Sequence, residues 1–123
     1  MQNSKSEFRE EFNKRTYRWV LRLISFLESL PSNATSDVLI KQLLRSGTSI
    51  GANLRESRAC SSRKDFTNFL NHALKSANES EFWLAIFRDT KRGNSAEVQW
   101  LMEEVSAIAK ILASSIITAK GKK

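Results

Sequence analysis

One helix that must satisfy two different neighbours constrains this chain more than any other stretch. Leu39, Leu43, Ile50 and Leu54 recur at steps of four, seven and four, with Gly47 in the gap. Positions spaced this way share one face of an α-helix. Gly47 and Gly51 lie one turn apart, and each costs about 1 kcal/mol of helix propensity relative to alanine. Such residues suit a helix interior where another backbone has to come close. A second line, Arg45, Ser49, Asn53 and Glu56, runs at steps of four, four and three and is wholly polar. An apolar line beside a hydrogen-bonding line points to packing and recognition rather than to catalysis.

The rest of the chain repeats the helical period. Phe8, Phe12, Trp19, Leu23, Phe26, Leu27 and Leu30 predict a first helix over about 6–30, stopped by Pro31 because a residue before proline is pushed out of the helical region. Thr35 or Ser36 is placed to cap the second helix, about 36–59. Ser62 with Asp65 resembles a capping box for a third helix over about 63–92, closed by Gly93. Asn94 with Glu97 repeats the pattern before a fourth helix, about 95–119, and the basic tail 120–123 is expected to lie beyond it. No stretch alternates with period two, and one proline with four glycines leaves little for hairpin turns. The expectation is a single all-α domain over 1–123, an antiparallel up-down-up-down four-helix bundle.

Several function classes lack their residues. The lone His72 has no second histidine or cysteine partner for zinc. Gly47-Thr48-Ser49-Ile50-Gly51 lacks the lysine and preceding strand of a phosphate loop, and Glu79 and Glu81 make no Glu-x-x-His pair. The chain is therefore expected to be no enzyme, with no catalytic residue, metal site or cofactor. Cys60, the single cysteine, excludes an intrachain disulfide and suits a reducing compartment. Arg58 and Arg63 beside it would lower its pKa in a reactive site; a bystander thiol is the other reading. A charged N-terminus and the lack of any apolar run near 18–20 residues predict a cytoplasmic protein without membrane contact.

What remains is binding. Twenty basic against 13 acidic residues give a net charge of +7 and a pI near 9.9, which fits RNA or DNA, an anionic membrane surface or an acidic protein, or else serves solubility alone. Lys14, Arg15, Arg18 and Arg22 share one side of the first helix, either as a phosphate-binding ridge or as a solvated face partly paired with Glu10 and Glu11. If the second and third helices turn back on each other at Cys60, Glu56 lies level with Asp65, Ser49 with His72, and Arg45 near Glu79. That makes Arg45, Ser49, Asn53, Glu56, Asp65 and Glu79 either a buried or interfacial polar network or a row of groups facing water. Trp19, Trp83, Trp100 and Phe82 are more aromatic surface than one small bundle hides, so self-association is expected.

Leu30-Pro31, Gln42-Leu43-Leu44-Arg45-Ser46, Ser49-Ile50-Gly51-Ala52-Asn53, Glu56-Ser57 and Asp65-Phe66 occur in an order that resembles a known family. Ala73-Leu74-Lys75, Asn78-Glu79-Ser80-Glu81 and Trp83-Leu84 extend the likeness, which covers about residues 30–87. The chain is similar to the four-helix-bundle proteins encoded in intervening sequences of bacterial 23S ribosomal RNA genes. It departs at Lys75-Ser76, where many relatives have Lys-Glu. The resemblance implies a left-handed bundle that assembles as a homopentamer. Through a distant likeness to the accessory variability protein of diversity-generating retroelements, it also implies binding to nucleic acid and to a nucleic-acid-processing protein such as a reverse transcriptase. Two functions follow as expectations: a homo-oligomeric nucleic-acid or ribonucleoprotein accessory module, or a structural adaptor that binds another protein through its helical faces.

Overall fold

The structure, a computed structural model, describes residues 4–121. They form α1 (Ser4–Glu28), α2 (Ala34–Arg58), α3 (Arg63–Asp89) and α4 (Ser95–Gly121), with no strand among the described residues. Links of a few residues join them, and each helix packs on its neighbours in sequence while α1 also meets α4. Pairings that descend in one helix as they ascend in the other fix the directions. Gly47 lies against Leu23 and Gly51 against Val20, and Arg15 meets Glu104 and Arg22 meets Glu97. After the short link 59–62, α3 returns along α2, where Arg45 meets Glu79 and Ser46 meets Ser80. The helices therefore run up, down, up and down.

The core is the sum of the four apolar stripes. Leu23, Leu43, Ile50, Leu84, Phe87, Leu101, Ile108 and Leu112 are fully buried, and Trp19 lies among them. Its indole N–H donates to the carbonyl of Leu101 at 3.0 Å, so the ring is fixed at both ends, by packing and by a hydrogen bond. Trp19 thus belongs to the core and adds nothing to the exposed aromatic surface expected from the sequence. Gly47 has a related role. A Cβ there would run into Leu23 and the Trp19 ring, so the glycine makes room for α1 side chains rather than for a second backbone. Between α2 and α3 the buried hydroxyls of Ser46 and Ser80 lie 2.8 Å apart, and Ala73 and Ala77 of α3 are fully buried.

Local chemistry sets the helix ends, and at several it differs from the expectation. The α2 cap is Asn33, whose side chain accepts the Ser36 N–H at 2.9 Å, so the helix starts ahead of Thr35 and Ser36. Ser36 is instead buried and takes the Nε–H of Arg92 at 2.8 Å. Ser62 caps α3 through the Asp65 N–H, and Asn94 caps α4 through the Glu97 N–H. The α3 helix stops at Asp89 rather than near residue 92. Lys91 takes the left-handed conformation (φ 56°), and its N–H and that of Arg92 close back on the carbonyls of Arg88 and Phe87. This is a Schellman ending with lysine where glycine is usual. Gly93 (φ 78°) follows, packed against Phe26 and Leu30 where a side chain would clash. Lys120 and Gly121, expected in the tail, continue α4; Lys122 and Lys123 lie outside the described residues.

Candidate functional site

The basic ridge of α1 is largely occupied by the protein itself. Arg15 forks onto Glu104 of α4 with 2.6 and 3.0 Å hydrogen bonds, and Arg22 onto Glu97 with 2.7 and 2.9 Å. The Arg22 guanidinium also lies over the Trp100 ring, 3.9 Å from its centroid. Arg18 reaches Glu11 at 3.4 Å, and Lys14 is exposed beside the groove between α1 and α2. Hydrogen bonds from Arg15 and Arg22 hold the Glu104 and Glu97 carboxyls below the usual carboxylate range. Two of the four ridge cations are thus ties between helices, and the expected phosphate-binding row is broken.

The polar line of α2 faces a shallow groove shared with α3. Ser49, Asn53, His72, Lys75, Ser76 and Glu79 line it, with Phe69 edge-on to His72. The Arg45–Glu79 pair exists at 3.4 Å, yet the two side chains are 69% and 40% exposed. Glu79 also accepts the Trp83 indole N–H at 3.2 Å, and Arg45 donates to Gln42 at 3.0 Å. Ser49 and Asn53 bond back to the carbonyls of Arg45 and Ser49 in their own helix, and Glu56 and Asp65 are exposed. Within one chain, then, this line is a surface feature and not a buried network. Position along the helix was legible in the sequence, but burial was not, because a face opposite the core looks the same whether or not a partner covers it.

Several apolar side chains are exposed on α1 and α2. Tyr17 and Leu21, one turn apart on α1, are 58% and 48% exposed, and Leu44 on α2 is 37% exposed. Thr48, Gly51 and Ala52 join them across the α1–α2 groove. Phe82 is a separate exposed aromatic on α3, packed edge-on against half-buried Trp83.

A further concavity was not apparent from sequence. At the end of the bundle where α1 and α3 begin and α2 and α4 finish, a cleft of about 650 Å³ opens between all four helices. Its floor is Phe12, Leu54, Phe66, Leu70 and Ile111, with Phe8 at the mouth. Lys5, Arg9, Arg58, Arg63 and Lys110 stand around it, and no carboxylate is among the residues that line it. Arg9 holds its guanidinium over the Phe66 ring, 5.7 Å from the centroid. The available signal was positional: basic residues near the start of α1 and α3 and near the close of α2 and α4 are distant in sequence, and only the alternating helix directions gather them. Cys60 lies on the rim, where desolvation and then the charges of Asp65 and Glu56 raise its pKa, which fits the bystander thiol and not the lowering that a reactive site would need. No group of three histidine, cysteine, aspartate or glutamate side chains fit to hold a metal occurs among the described residues. No helix there is long and apolar enough to cross a membrane.

Residues 10–114 match the family model of the 23S rRNA-intervening sequence protein. Among solved structures, the chain is similar to a Bacteroides thetaiotaomicron protein of unknown function from the S23 ribosomal protein family. The identity is 37% over 85% of this chain and 97% of that one, with a TM-score of 0.79. No curated protein matches.

Proposed function

The chain belongs to the 23S rRNA-intervening sequence protein family, and from that premise we propose that it is a non-catalytic, homo-oligomeric module that binds nucleic acid through the basic end of its bundle. The observation that carries this reading is the cationic rim around the end cleft, where five lysines and arginines stand with no carboxylate among the lining residues. Arg15, Arg22 and Arg88 on other faces are paired with Glu104, Glu97 and Asp89, whereas Lys5, Arg9, Arg58 and Lys110 border a recess lined by no carboxylate. Phosphate contacts position a protein on nucleic acid without reading sequence, so binding is largely sequence-independent.

The exposed apolar side chains of Tyr17 and Leu21, one turn apart on α1, and of Leu44 on α2 support self-association, since exposed apolar surface marks interfaces. A closed ring, five-membered as the family resemblance implies, would repeat the basic end in every subunit. Linked weak sites gain affinity through effective concentration. The same side chains and Phe82 favour a second reading, a structural adaptor that binds another protein through its helical faces and has no nucleic-acid role. Titration of fluorescently labelled RNA and DNA at several salt concentrations, with light scattering on the same samples, tests the first reading. It expects an oligomer whose affinity falls steeply with salt. A monomer that binds neither polymer at low salt would overturn it and leave the adaptor.

A further inference from the structure

The same end cleft carries a more specific conclusion, which rests on the nucleic-acid reading above. A site built for phosphate alone needs cations on a surface. This one has a recess of about 650 Å³, within the range of pockets that enclose small organic groups, and its floor is apolar and aromatic. Phe8 is 56% exposed at the mouth, an uncommon position for phenylalanine, and its ring lies parallel to that of Phe12 with centroids 6.5 Å apart. Phe66 offers a third ring, with Arg9 above it. Asn13, Ser114, Ser115 and Thr118 add hydrogen-bonding groups to the wall. Aromatic faces beneath a cationic rim are the two parts of a site for single-stranded nucleic acid: bases stack on the rings while the rim follows the phosphates. A paired duplex keeps its bases stacked inside and cannot use the floor.

We propose that this cleft takes an unstacked nucleobase of single-stranded RNA or DNA, with the flanking phosphates on Arg9, Arg58 and Lys110. Phe8 is the first ring the base meets, and at 56% exposure it stands mostly outside the core. Arg9, Arg58 and Lys110 come from three different helices, so the strand can meet the rim from more than one side, and base identity matters less than the presence of a base.

The test titrates labelled short strands at one low salt concentration. The strands are RNA and DNA of the same sequence, each strand made with abasic sites, and the duplex. The proteins are wild type, Phe8→Ala and Arg58→Gln, with helicity checked by circular dichroism. Removing either the bases or the Phe8 ring should weaken single-strand binding about five-fold or more, the usual effect of losing one stacked base. Phe8→Ala should leave duplex binding unchanged. Arg58→Gln should weaken intact and abasic strands alike. RNA favoured over DNA would point to contacts with the ribose hydroxyl, and equal binding to the shared base and phosphate chemistry; both support the site. Abasic strands bound as tightly as intact ones, or intact-strand affinity unmoved by Phe8→Ala, would overturn the base site while leaving phosphate binding in place. No binding to any strand by wild type would overturn both.

Discussion

Alanine at two glycines of α2, one turn apart, should change stability in opposite directions. Both substitutions remove the same backbone penalty, so each starts with a gain of about 1 kcal/mol in helix propensity. The surroundings then differ. At Gly51 the new methyl would lie 3.6 Å from Cγ2 of Val20, an ordinary van der Waals contact. At Gly47 it would collide with Cδ2 of Leu23 and sit 3.3 Å from two atoms of the Trp19 ring. Leu23 and Trp19 are both fully buried, and Trp19 is tied to the Leu101 carbonyl, so neither has room to retreat. Forcing extra carbon into such a site costs about 1–3 kcal/mol, and more when a real overlap has to be relieved. Gly51→Ala should therefore stabilise by about 0.5–1 kcal/mol. Gly47→Ala should be net destabilising, by about 1–2 kcal/mol once the propensity gain is subtracted. Urea melts at one fixed protein concentration measure both, because an oligomer's stability depends on concentration. A Gly47→Ala protein as stable as wild type would mean that Leu23 and Trp19 do not fill the notch.

Other residues give equally direct expectations. Arg45→Ala should cost about 0.5 kcal/mol or less in the single chain, the usual worth of an exposed pair, and a double-mutant cycle with Glu79→Ala should show coupling of the same small size. A loss of several kcal/mol would mean that a second copy covers this line. Thr16 is buried with its hydroxyl unpartnered, so Thr16→Val, nearly the same shape, should raise stability by about 1 kcal/mol in a urea melt. Glu97 and Glu104 titrate below the ordinary carboxylate value of 4.5, so their ties to Arg22 and Arg15 stabilise the fold at neutral pH. That contribution is lost as pH falls below about 4.5, through the depressed folded-state values. Thermal melts from pH 7 to 3 should show a shallower acid decline in the Glu97→Gln, Glu104→Gln double variant; an unchanged decline would place the acid sensitivity elsewhere.

Helix number, helix direction and most core positions were legible because they rest on periodicity and caps, which are local. Ser62 and Asn94 show this: a serine or asparagine with an acidic residue three positions on marks a helix start wherever it occurs. Asn33 was missed because Thr35 and Ser36 offer competing caps within three residues. The third helix ended early because lysine accepted the left-handed turn that glycine was expected to take. The site was harder to read, since it depends on which distant charges meet. A helix wheel puts Arg15, Arg18 and Arg22 on one side but cannot show that Glu104 and Glu97 stand opposite two of them. The converse holds for Lys5, Arg58 and Lys110, which share no helix and become neighbours only through the bundle's topology.

The central claim is that polyanions meet the end of the bundle and not the first-helix ridge, and one paired titration tests it. Arg58→Gln with Lys110→Gln removes two charges from the cleft rim; Lys14→Gln with Arg18→Gln removes two from the ridge and leaves both ties to α4 intact. The variants have equal net charge, so any difference between them is positional. Single-stranded RNA is titrated into each at several salt concentrations, and log affinity is plotted against log salt. The account predicts that the rim variant loses affinity and that its slope falls by about 1.4, near 0.7 for each phosphate no longer neutralised, while the ridge variant keeps the wild-type slope. A ridge variant that loses as much as the rim variant, or more, would contradict it.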